Sequence, residues 1–236
     1  MTPEEIDLML DRAAQRALPP DAGRAALHRL EDALLKDLRP APALAPRWVF
    51  LLRFLLLFAG FAAFSAAILG LHGLHVLGGM QRLLIISSLL LAGWLAATEA
   101  ARAMRPASGA RLGGLALLLA TAGFLLLFAG ILQHYSPRHL VAEGVPCLLA
   151  GLCVAAPVGC LAAFLLRRGF VLDWSRAGLA AGVLAGLSGL GMLELHCPNL
   201  KAIHAMVWHV AVVACSSAIG YLAGRIADEL RRGHSR

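Results

Sequence analysis

Six apolar runs constrain this chain more than anything else in it. They fall at 48–71, 82–98, 112–132, 145–166, 177–195 and 203–224, each near the ~20 residues a helix needs to cross the hydrocarbon of a bilayer. Strand-like alternation is almost absent, and Leu and Ala dominate, so the runs read as helices. Lipid favours the same reading, because a backbone that crosses it must satisfy its own polar groups. Across 236 residues 59% are hydrophobic and 15% charged, with mean hydropathy +0.75, where a soluble domain carries about a quarter charged. The fold class expected is all-α: an integral membrane six-helix bundle behind a short N-terminal cytoplasmic helical segment.

The sidedness comes from Lys and Arg. Seven lie in the segment through Arg47, three in the second loop (Arg102, Arg105, Arg111), three in the fourth (Arg167, Arg168, Arg176) and four from Arg225 onward. The other side carries Arg82, Arg138 and Lys201, and Arg53 lies just inside the first span. This is the positive-inside pattern over short loops, so both termini are expected in the cytoplasm. It also accounts for the net charge of +7 and the pI near 9.8. No basic–aromatic module accompanies that charge, so no direct nucleic-acid partner is expected. The first 46 residues are charged and lack an apolar leader core, which leaves the first span as the targeting signal.

Residues 1–39 differ in kind from the rest. Thr2, Pro3 and Glu5 make a capping-box pattern, and Ile6, Met9 and Leu10 then recur at helical spacing. Pro19 and Pro20 end that helix. A second follows Asp21, with Leu27, Leu30, Leu34 and Leu38 on one face. Each helix is too short to be stable alone. The pair either folds onto a partner protein through Ile6, Met9, Leu10, Leu27, Leu30 and Leu34, or folds back on the membrane surface or the rest of the chain. Residues 40–46 are a stiff Pro-rich linker, 47–226 the six-span domain, and 227–236 a basic tail.

The residues with chemistry concentrate at 194–209, between the last two spans: Glu194, His196, Cys197, His204, Trp208 and His209. In a membrane chain such a polar cluster is where function concentrates. The charge bias places it on the outer side, with His72, His75, His134 and His139. Cys147 and Cys197 fall there too, where an oxidising compartment permits a disulfide; two free small residues near the interface are the alternative. Glu194, His196, Cys197, His204 and His209 are suitable zinc or copper ligands, but their spacing argues against one site. His204 and His209 are about 140° apart on an α-helix, and neighbours such as His196 and Cys197 seldom bind one ion. Interfacial histidines bonded to backbone or water are the bland reading. Gly178, Gly182 and Gly186 form a ridge for close helix approach, as do Gly220 and Gly224. Ionisable groups are nearly absent from mid-span, which counts against an ion pathway, and no CxxC pair is present.

Several short stretches resemble the bacterial negative regulator of sigma F family, six-span inner-membrane anti-sigma factors for extracytoplasmic-function sigma factors. They are Val145-Pro-Cys147, Leu166-Arg-Arg-Gly169, Ala177-Gly178, Ala181-Gly182, His196-Cys-Pro198 and Trp208-His209, then Gly220 and Arg225. The likeness covers roughly 45–226 and is closest from 145 to 210. It implies a cytoplasmic N-terminal segment that holds a sigma factor at the bacterial inner membrane. It also implies that the family's cysteine pair falls on Cys147 and Cys197; Cys153 and Cys160 leave the upstream member open. The expectation is therefore a membrane-bound anti-sigma factor that releases its sigma factor on a periplasmic signal. Cys147, Cys197, His196, His204 and His209 are the sensing residues. The partners are the sigma factor and the lipid bilayer. No enzyme activity and no resident cofactor are expected; a metal ion enters only as signal. The alternatives are a membrane thiol oxidoreductase using Cys147 and Cys197 with a quinone, and a metal-ion transporter.

Overall fold

The computed structural model describes residues 5, 25, 27–33, 45–105, 122–123, 130, 132, 139–199 and 201–234. The chain divides into two units, Met1–Leu44 and Ala45–Arg236. In the first, residues 27–33 are helical, with Leu27 and Leu30 exposed and His28 3.6 Å from Glu31. Ile6, Met9, Leu10 and Leu34, and nearly all of the expected third span at 112–132, lie outside the described residues.

The second unit contains α1 (Arg47–Leu69), the short α2 (His72–Val76), α3 (Gly79–Ala103), α4 (Leu140–Leu166) and α5 (Trp174–His196). A turn, α6 (Ala202–His204), a π-helical segment (Ala205–His209) and α7 (Val210–His234) follow in one continuous run. Five helices among the described residues are long and apolar enough to cross a membrane, with α6 to α7 counted as one. No strand occurs among the described residues.

Local sequence sets the ends. Pro46 precedes α1, where its missing N–H costs nothing. Gly70 closes α1 at φ +97°, a conformation that glycine accepts freely. The side chain of Asp173 accepts from the backbone N–H of Arg176 at 2.9 Å and caps α5. The second span extends beyond its sequence limits of 82–98 at both ends: Gln81 accepts from the Gly78 N–H at 3.0 Å, and the Glu99–Arg102 ion pair at 2.7 Å continues the last turn.

Helix α5 is the hub. Of its apolar window 83% is buried, against 44% or less for each of the others, and α1, α3, α4 and α7 all pack on it. Helix α1 turns a stripe of Phe50, Phe54, Phe58, Ala62 and Ala66 inward, one residue per turn. In lipid this apolar face gains little by leaving one hydrocarbon for another, so close packing has to hold the helices together. The α5–α7 contact shows how. A Cβ on Gly178 would collide with the Gly220 carbonyl, and one on Gly182 with that of Ser216. The glycine ridge of α5 thus meets the backbone of α7 directly. At the Arg231 end, the carboxylate of Asp228 on α7 accepts from the N–H groups of Trp174 and Ser175 at 3.2 and 3.1 Å and from the Ser175 hydroxyl at 2.8 Å. That bond set locks α7 to the start of α5.

Candidate metal centre

Four side chains from separate elements converge at the other end of α5. Cys147 comes from the second turn of α4. Cys197 is the first residue past α5, His204 closes α6 and His209 closes the π segment. The Sγ atoms of Cys147 and Cys197 are 3.8 Å apart, and Cys197 Sγ lies 3.7 Å from His204 Nε2. The four ligand atoms lie within 4.8 Å of one another. Cys197, His204 and His209 are buried and Cys147 is half-buried. Cys153 and Cys160 are exposed and do not join the group, so Cys147 is the upstream thiol that meets Cys197.

These distances suit one ion. Tetrahedral zinc with Zn–S of about 2.3 Å and Zn–N of about 2.0–2.1 Å sets its sulfurs about 3.8 Å apart and each sulfur about 3.5 Å from a nitrogen. Two thiolates with two imidazoles are a closed set for a soft or borderline cation such as Zn(II) or Cu(I).

The polar atoms behind the ligands support that use. His209 Nδ1 lies 2.6 Å from Glu194 Oε1, with both residues buried. With the Glu194 carboxylate accepting, Nδ1 carries a hydrogen and Nε2 is the ring nitrogen left for a ligand. His209 Nε2 is fully buried without a hydrogen-bond partner among the described residues, as is His204 Nδ1. A carboxylate behind a histidine, with the other ring nitrogen turned to the site, is the usual outer shell of a metal-bound imidazole. Glu194 is therefore not a fifth ligand; it orients His209. The Cys197 thiol is held above its usual range, first by its hydrogen bond with Cys147 and then by burial, while His204 and His209 pull the other way.

The π segment corrects the spacing argument. On an α-helix residues 204 and 209 would diverge, but a stretch that bonds i to i+5 sets residues five apart nearly above one another. Their rings meet edge to face with centroids 5.1 Å apart. The segment has room because α4 carries Gly144 where the Trp208 indole lies; a Cβ there would collide with the ring. Sequence periodicity misses this, since it assumes 3.6 residues per turn throughout.

His196 stands outside the cluster. Its Nδ1 is 3.0 Å from the Gly70 carbonyl, and its ring is edge-on to His72 at 5.7 Å. It joins the α1–α2 corner to the end of α5. From α2, Gly73 packs on the same turn, and a Cβ on it would sit 2.6 Å from the Cys197 carbonyl. On the α4 side, Glu143 holds Lys201 at 3.1 Å and Asn199 at 2.8 Å, tying both to the helix that carries Cys147.

Fold and site together define a helical protein suited to a membrane, with a buried thiol–imidazole cluster at one end of the bundle. The family model described as negative regulator of sigma F matches residues 34–227, and the chain belongs to that family. Negative regulation of a sigma factor is accordingly its class of activity, and a sigma factor its partner. No curated protein and no solved structure matches the chain.

Proposed function

We propose that this protein is a membrane-bound anti-sigma factor whose signal is a soft or borderline metal cation taken up at Cys147, Cys197, His204 and His209. In the resting state residues 1–39 hold an extracytoplasmic-function sigma factor at the cytoplasmic face of the bacterial inner membrane. The thiol–imidazole cluster faces the periplasm. One observation carries the reading: four ligand atoms from three stretches of chain within 4.8 Å of one another, in a member of a family of sigma-factor regulators.

The site also suggests how a bound ion moves the bundle. Cys147 rides on α4, Cys197 on the end of α5, and both histidines on the run that continues as α7. The Cys147–Cys197 distance already suits an ion, so contraction falls on the longer separations and draws the head of α7 in against α4 and the end of α5. Glycine-to-backbone contacts transmit such a shift, because they leave no flexible side chain to absorb it. The far end of α7 is the Asp228 lock on α5, at the end of the bundle assigned to the cytoplasm. A ligand shifts such an equilibrium only by binding one packing better than the other, and a tighter tetrahedron supplies that difference.

The test is capture of the sigma factor by the full-length protein in detergent, followed by addition of Zn(II) or Cu(I). Sigma factor should co-purify without metal and leave on its addition, and it should stay bound to Cys197→Ser under the same conditions. Failure to capture any sigma factor contradicts the anti-sigma reading. Capture with equal release from the wild type and Cys197→Ser contradicts the metal reading alone. The Cys147–Cys197 distance also permits a disulfide, and release by an oxidant in metal-free buffer would favour that input.

A further inference from the structure

A second site lies at the opposite end of the bundle from the thiol–imidazole cluster. Between α4, α5 and α7 runs a groove of about 890 Å³. Small and aliphatic residues line nearly all of it, which suits an acyl chain. Among the described residues its charged lining consists of two arginines, Arg167 at the end of α4 and Arg231 near the end of α7, with no carboxylate. Of the acids nearest Arg231 in sequence, Glu229 is paired with Arg225 at 3.4 Å and Asp228 is engaged with Trp174 and Ser175. Trp174 lines it too, with the Arg231 guanidinium 4.5 Å from its ring centroid. Trp174 is only 8% exposed, and its indole N–H has no acceptor among the described residues.

We propose that this groove binds one anionic phospholipid, with an acyl chain along its apolar floor and the phosphate between Arg167 and Arg231. The charge argues for an acidic lipid headgroup: a zwitterionic lipid or an apolar helix of a second copy would bring the two guanidiniums no net countercharge. Basic pockets between membrane helices take acidic headgroups for this reason. A Trp whose body is apolar and whose N–H seeks an acceptor fits the boundary between chain and headgroup. Because α7 lines the groove and continues directly from the π segment that ends at His209, the lipid contacts the same helical run as the metal signal.

The test is native mass spectrometry of the full-length protein, delipidated in mild detergent and titrated with phosphatidylglycerol and phosphatidylcholine of the same acyl chains. Phosphatidylglycerol should bind one per chain and about thirtyfold more tightly, from about a fivefold gain per basic residue. The Arg167→Gln/Arg231→Gln double variant should lose that preference. Arg168→Gln should keep it, because Arg168 stacks on Phe164 outside the groove. Ala156→Trp, which fills the groove and leaves both arginines in place, should bind neither lipid. Equal binding of the two lipids by the wild type, binding of neither, or an unchanged preference in the double variant would overturn the proposal. So would tight phosphatidylglycerol binding by Ala156→Trp.

Discussion

His204 and His209 face each other edge to face at 5.1 Å although five residues separate them. A π-helical turn over Ala205–His209 makes that possible. Deleting Val207 leaves the histidines four apart, a spacing that an ordinary α-turn superposes. Inserting Ala after Val207 leaves them six apart, which neither kind of turn superposes. We expect the deletion variant to retain metal and the insertion variant to lose it, as elemental analysis of the purified proteins would measure.

Glu194→Gln keeps the shape of the group behind His209 and removes its charge. Outer-shell changes of this kind cost roughly 10–100-fold in metal affinity. Competition with a chelator of known affinity should show a loss in that range, with the stoichiometry unchanged at saturation. Wild-type affinity would mean that the 2.6 Å contact with His209 does not tune the site.

An ion that takes Cys197 has to displace a proton, because the thiol is held above its usual range by its hydrogen bond with Cys147 and by burial. The sign follows directly: lower pH keeps the proton in place and opposes the metal, and higher pH favours it. Apparent affinity should therefore rise by about tenfold per pH unit for each proton released on binding, up to the pKa of the group that gives it up. A pH-independent affinity between 6 and 8 would contradict thiolate ligation.

The fold was legible where it depends on hydrophobic period. The spans at 48–71, 145–166 and 177–195 fall on α1, α4 and α5 with shifts of a few residues, and the Lys and Arg bias picked Cys147 and Cys197 out of five thiols. The histidines were harder to read. Their pairing depends on a local change of helical pitch that Gly144 permits from a different helix, and no periodicity within 204–209 records it. Glu194 stands among the candidate ligands in the sequence for the same reason: sequence shows a carboxylate near histidines but not which of them it supports. His196 drew attention through its neighbour Cys197, yet one residue of chain turns it out toward Gly70 and His72.

Gly182→Leu tests whether the α5–α7 contact holds the bundle. The added side chain has to displace the Ser216 backbone, and overpacking of this kind costs about 1–3 kcal/mol. Thermal unfolding in detergent should show the loss. The variant should still bind metal, because Cys197 lies about four turns further along α5 and the other three ligands lie on other elements, but the ion should release less sigma factor than in the wild type.

The central claim is that Cys147, Cys197, His204 and His209 form one metal site. X-ray absorption on the full-length protein loaded with one equivalent of zinc measures that most directly. The account expects two sulfurs at about 2.3 Å and two nitrogens at about 2.0–2.1 Å, with one sulfur lost in Cys147→Ser. A first shell of oxygen alone, or an unchanged sulfur count in that variant, would contradict it.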